Sequence, residues 1–126
     1  MGKSQRDKGA NGERELSNLL REQYGYETRR GMVFLHQSDL IGLSGIHPEV
    51  KRVERLNIWE AMRQAVLEAG IRRDGLPTVF HRRNRGEWLV TMRLRDWIDL
   101  YGAWQDGRMD KNTQEDNEQP RSDERC

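Results

Sequence analysis

Apolar residues recur every four positions at Leu16, Leu20 and Tyr24, an interval that places them on one stripe of a helix. The pattern predicts a helix over residues 8–24, closed by Gly25. Glu13, three residues before Leu16, falls on that stripe, whereas Glu15 and Glu22 are expected on the opposite side. A carboxylate turned inward is costly unless it is paired or holds a metal. Residues 26–34 and Asp39-Leu40-Ile41-Gly42-Leu43 read as short strands, and a Ser44-Gly45 turn leads to a third strand from Ile46 to Val53. Alternation along this strand puts Glu49 and Lys51 on one face and Val50 on the other. Pro48 marks an edge position or a strand start.

Asn57 and Glu60 have the spacing of a capping box at the start of a second helix. Ile58, Met62, Ala65, Val66 and Ala69 keep helical spacing there, and Gly70 with Arg72-Arg73-Asp74-Gly75 closes it. Two further strands, Thr78–Arg82 and Glu87–Met92, flank an Asn84-Arg85-Gly86 turn. A last helix is predicted over Leu94–Trp104, with Trp97, Tyr101 and Trp104 on one face. The order α-β-β-β-α-β-β-α predicts an α/β domain with a mixed central sheet flanked by helices. No internal repeat is present.

Composition narrows the class. A chain of 126 residues fits one domain, expected over residues 1–107, with the polar residues 108–126 as a disordered tail. The tail carries four basic and six acidic residues, which leaves 18 basic and 15 acidic residues of the totals of 22 and 21 for the body. An excess of three positive charges permits a nucleic-acid partner without demanding one. The single cysteine, Cys126, excludes a disulfide or a cysteine zinc site within one chain. No apolar run approaches membrane-spanning length, and no signal region opens the chain. The expectation is a soluble cytoplasmic protein without a membrane partner.

Candidate chemistry sits on the third strand. Asp39 at the start of one strand and Glu49 on the next can converge on a divalent cation, and Lys51 faces the same way as Glu49. Mg²⁺ takes a few carboxylates, water and the phosphate oxygens of a substrate. Such an ion serves phosphodiester hydrolysis by offsetting phosphate charge and generating hydroxide near neutral pH. The ammonium of Lys51 can hold the attacking water or stabilise charge on the phosphate. His36, His47 and His81 match no closed zinc spacing, so no histidine metal site is expected. The four tryptophans, Trp59, Trp88, Trp97 and Trp104, are expected in the core or an interface rather than as base-stacking platforms.

Asp39, nine intervening residues and Glu49-Val50-Lys51 resemble the D-(x)n-E-x-K signature of the PD-(D/E)XK nuclease superfamily. Lys8-Gly9-Ala10-Asn11-Gly12-Glu13-Arg14-Glu15-Leu16 is similar to the K-G-x-x-x-E-R-E-L opening of archaeal-type Holliday junction resolvases. Ile46–Leu56 and Val79–Arg85 resemble small phage-borne members of that group. The resemblance covers residues 8–92, with Ser38 in place of the usual proline before Asp39 and an apolar stretch Met32–Gln37 in place of a Gly/Ser-rich loop. It implies a restriction-endonuclease-like fold and a catalytic set of Glu13, Asp39, Glu49 and Lys51. It implies Mg²⁺, with Mn²⁺ as a substitute, held by Asp39, Glu49 and Glu13.

The function so implied is a structure-selective DNA endonuclease, a Holliday junction resolvase encoded by a host, phage or mobile element. A four-way junction offers two equivalent strands, so a chain with one site is expected to act as a homodimer. The alternatives are a general nicking endonuclease of the same fold and a non-cleaving DNA-binding accessory protein. Lys8 at a helix start, Arg29, Arg30, Arg52, Arg82, Arg83 and Arg85 are the candidates for gripping phosphates. His81, on a neighbouring strand, is a further candidate DNA contact.

Overall fold

The computed structural model describes residues 2–116, and within them the side chains of residues 10–32 and 34–108. Helix α1 (Gly2–Glu22) is followed by the short strands β1 (Arg29–Arg30) and β2 (Leu40–Ile41). Strand β3 (Ile46–Arg52) leads through helix α2 (Ile58–Arg72) to β4 (Leu76–Arg82), β5 (Leu89–Met92) and helix α3 (Leu94–Asp116). The chain divides into two compact units between Arg93 and Leu94, ahead of the boundary at Gly107 that the polar tail suggests. No helix among the described residues is long and apolar enough to cross a membrane.

The strands form two sheets rather than one. β3 runs parallel to β4, joined through α2, and β5 pairs antiparallel with β4. β1 and β2 make a separate antiparallel ladder. Gly42 and Gly45, with φ of 113° and 86°, turn the chain out of the extended conformation between β2 and β3. β3 is therefore the edge of the three-stranded sheet. The amide of Ile46 bonds to the carbonyl of Leu43 at 3.1 Å, and that of Val50 to Oδ2 of Asp39 at 2.9 Å. These amides point away from β4, and Pro48 shares their parity. Its missing N–H thus falls on the open edge, where no ladder bond is lost.

Each face of this sheet has its own core. Val50 and its register neighbour Phe80 meet Leu16 of α1 and Leu40 of β2, with Trp88 packed alongside. Val79 meets Ala61 and Ala65 of α2. α1 comes so close at the buried Gly12 that a Cβ there would lie 2.6 Å from Cβ of Arg52. The inner face of α1 is consequently centred on Gly12 and Leu16, not on Leu16, Leu20 and Tyr24, and Tyr24, beyond the helix end, is 63% exposed. This rotation corrects the expectation for Glu15. Instead of facing solvent, Glu15 flanks the buried face and pairs with Arg52 at 3.0 Å and with Arg82. Glu13 occupies the other flank, against Arg30 at 3.2 Å.

Oδ1 of Asn57 accepts the Glu60 amide at 3.1 Å and caps α2, whose Ala61, Ala65 and Ala69 form the buried stripe. The helix runs past Gly70 to Arg72. Arg73 then turns left-handed and its amide bonds the Ala69 carbonyl at 2.7 Å. Partners for Arg72, the carboxylate of Glu68 and the carbonyl of His36, hold this extra turn.

α3 extends to Asp116, past the predicted end at Trp104, over residues that include no proline. Residues 117–126 of the expected tail, Cys126 among them, lie outside the described residues. Trp97, Tyr101 and Trp104 share a face of α3 as expected and stack on one another, with ring centroids 4.9 and 5.5 Å apart. The guanidinium of Arg108 lies 5.0 Å over the Trp104 ring. Trp97 and Trp104 are nearly half exposed and Trp59 is 84% exposed, so of the four tryptophans Trp88 alone joins the core.

Gly12→Ala is expected to destabilise the protein by about 1–3 kcal/mol, because the added methyl must displace Arg52 or the helix. Alanine's better helix propensity, about 1 kcal/mol, acts in the opposite direction. Urea unfolding should show a lower midpoint at unchanged slope. A raised midpoint would mean that α1 does not rest on Arg52.

Candidate functional site

His47, Glu49 and Lys51 alternate along β3 on the face turned to α2, the face on which Val79 lies beside Glu49 in register. Glu49 is 4% exposed and His47 1%. Nζ of Lys51 lies 3.6 Å from Oε2 of Glu49 and donates to Oε1 of Gln64 at 3.1 Å. Gln64 and Glu68 of α2, four residues apart, border the alanine stripe and bring polar atoms to the same place.

Asp39 reaches this group from the residue preceding β2. Its Oδ2 is held by the Val50 amide at the sheet edge. Burial raises the pKa of Asp39 above the ordinary carboxylate value, against the lowering effects of that amide and of Lys51. Glu49 is raised by burial and then by repulsion from Asp39, to about 7, with Lys51 opposing. Glu13 is raised by burial and by Asp39, with Arg30 opposing. Asp39 is thus the member shared by two groups. Glu13 approaches it from the α1 side, and Glu49, Lys51 and Glu68 from the α2 side. The cation that compensates Glu13 is Arg30, one of the residues expected to grip DNA.

The all-oxygen donor set of Asp39, Glu49 and Glu13 suits a hard divalent cation. Burial and mutual repulsion disfavour its ionised form, a cost that such a cation would relieve. The tightest gathering is a different one. Among the described residues, the three ligating side chains with donor atoms within 4.8 Å of one another are His47, Glu49 and Glu68, not Glu13, Asp39 and Glu49. Nδ1 of His47 lies 2.8 Å from Oδ1 of Asp74 and 3.0 Å from Oγ of Ser38. The Ser38 hydroxyl donates to the other oxygen of Asp74. The histidine spacing fits no zinc pattern, yet strand alternation aligns His47 with Glu49 and Lys51. For Gln64 and Glu68 the available signal was their interval of four beside inward alanines. Nothing in the sequence pointed to Ser38 or Asp74 as partners of His47.

The expected DNA-gripping residues separate into two kinds. Arg52 and Arg82 are bound to Glu15, and Arg52 also to Oδ1 of Asn84 at 3.0 Å. With Arg30 on Glu13, three guanidinium groups share two carboxylates, so they are engaged within the fold with one positive charge left over. Arg29, Arg83 and Arg85 are exposed. His81 bonds Oγ1 of Thr91 at 2.8 Å, and burial lowers its pKa. The side chain of Lys8 lies outside the described residues. No family model, curated protein or solved structure matches the chain.

Because the fold raises Glu49 from 4.5 to about 7, it favours the protonated acid. That contribution is complete below pH 4.5 and is lost as pH rises to about 7, a change on the order of 3 kcal/mol. Thermal melts with chelator should show wild type losing stability relative to Glu49→Gln across this window. Parallel curves for the two proteins would show that Glu49 is not desolvated.

Proposed function

We propose that the unit ending at Arg93 is a divalent-metal-dependent DNA endonuclease of the PD-(D/E)XK type, acting on branched DNA as a Holliday junction resolvase. The observation that carries this reading is the position of Asp39. It is fixed at the open edge of β3 by the Val50 amide, next to Glu49 and Lys51 of the same strand and Glu13 of α1. Residues far apart in sequence thereby supply one buried and two partly buried acids, with one lysine, to a single edge.

Asp39 and Glu49 are the ligands in this proposal, with Glu13 beside Asp39. A bound Mg²⁺ or Mn²⁺ would offset phosphate charge and lower the pKa of a water. Gln64 and Glu49 orient the Lys51 ammonium, which stabilises charge developing on the phosphate oxygens as water adds to phosphorus. Exposed Arg29, Arg83 and Arg85 supply salt-sensitive contacts to the DNA backbone. One chain carries one such edge, so paired cuts in a four-way junction require two copies.

The test is cleavage of a labelled four-way junction, compared with plain duplex, in Mg²⁺. Asp39→Asn and Glu49→Gln should each abolish cutting while the folded protein still binds the junction. Glu13→Gln should slow it at least about tenfold, roughly 1.4 kcal/mol of barrier. Cutting by a clean, folded Asp39→Asn protein would sink the assignment. Equal nicking of duplex and junction would reduce the reading to a general endonuclease.

A further inference from the structure

The His47 ring lies outside the metal set proposed above, although it is almost wholly buried beside it. Its hydrogen bonds fix where its proton sits. The Ser38 hydroxyl hydrogen is committed to Asp74. The short contacts of His47 Nδ1 with Asp74 and Ser38 therefore require Nδ1 itself to be the donor. In the neutral ring Nε2 is then the nitrogen with the lone pair, and it is buried without a hydrogen-bond partner among the described residues. A buried polar atom left unpaired calls for an explanation. With Nδ1 engaged, Nε2 is the nitrogen left to serve the two carboxylates that complete this group, those of Glu49 and Glu68.

We infer that His47 Nε2, Glu49 and Glu68 form a binding site for a first-row transition-metal dication, distinct from the oxygen-only set at Asp39 and sharing Glu49 with it. A carboxylate holding the far nitrogen of a metal-bound imidazole is a recurrent support, and Asp74 stands in that relation to His47. Imidazole nitrogen with two carboxylates suits Mn²⁺ or Zn²⁺, whereas Mg²⁺ favours oxygen donors and water. The site is reachable, because the Glu68 side chain is 32% exposed at the rim of α2.

The site does not depend on DNA cleavage and is tested by metal binding alone. Full-length protein is titrated with Mn²⁺, and the bound ion is examined by pulsed EPR for coupling to a ligating nitrogen. Wild type should show that coupling. Glu68→Gln, at a partly exposed position, should weaken Mn²⁺ binding at this site at least tenfold and remove the nitrogen coupling while the protein stays folded. His47→Gln should also remove the coupling, and if that protein does not fold, the Glu68→Gln result decides. Asp39→Asn should retain the coupling even where it abolishes cutting, which separates this inference from the nuclease reading. Bound Mn²⁺ with no nitrogen coupling in wild type would overturn it, as would coupling that survives Glu68→Gln unchanged.

Discussion

Among the described residues no strand pairs with the outer side of β3 at Val50, and the carboxylate of Asp39 bonds the Val50 amide instead, 2.9 Å away. An unpaired buried amide is costly, so the sequence around Asp39 must close the edge that β2 leaves open. Most of the site's arrangement follows from this contact. It fixes Asp39 against β3 and sets the Asp39 carboxylate where Glu13 and Glu49 both feel it. Pro48, two residues before Val50, fits the same open edge because it has no N–H to satisfy.

β3 then serves two purposes on its two faces. Val50 looks toward α1 and joins the Leu16 and Leu40 core. His47, Glu49 and Lys51 look toward α2, where small alanines leave room for polar groups beside them. A site whose side chains grow from a packed strand and a packed helix holds its geometry better than one built on loops. Charge is distributed in the same way. Glu15 bridges Arg52 and Arg82 on the α1 side, and Arg30 accompanies Glu13. The acids toward α2 have Lys51 close by, with Arg72 on the outer side of Glu68. Burial with so few cations is what lifts Glu49 to about 7.

Much of this protein could be read from its residues because the relevant signals are local. Strand alternation put Glu49 and Lys51 on one face opposite Val50. The Asn57 cap, the order of the elements and the shared face of Trp97, Tyr101 and Trp104 likewise depend on residues a few positions apart. Tertiary structure alone decided the rest. The azimuth of α1 is set by the contact of Gly12 with Arg52, and it moved Glu15 from solvent to an ion pair with two arginines. The backbone torsions at Gly42 and Gly45 split one expected sheet into two. The grouping of His47 with Glu49 and Glu68, and the capture of His47 by Asp74, arise where α2 and the turn after it pack back on β3. Periodicity reports which side of its own element a residue occupies. Which residues of another element it meets is set by packing, through contacts that no interval along the chain records.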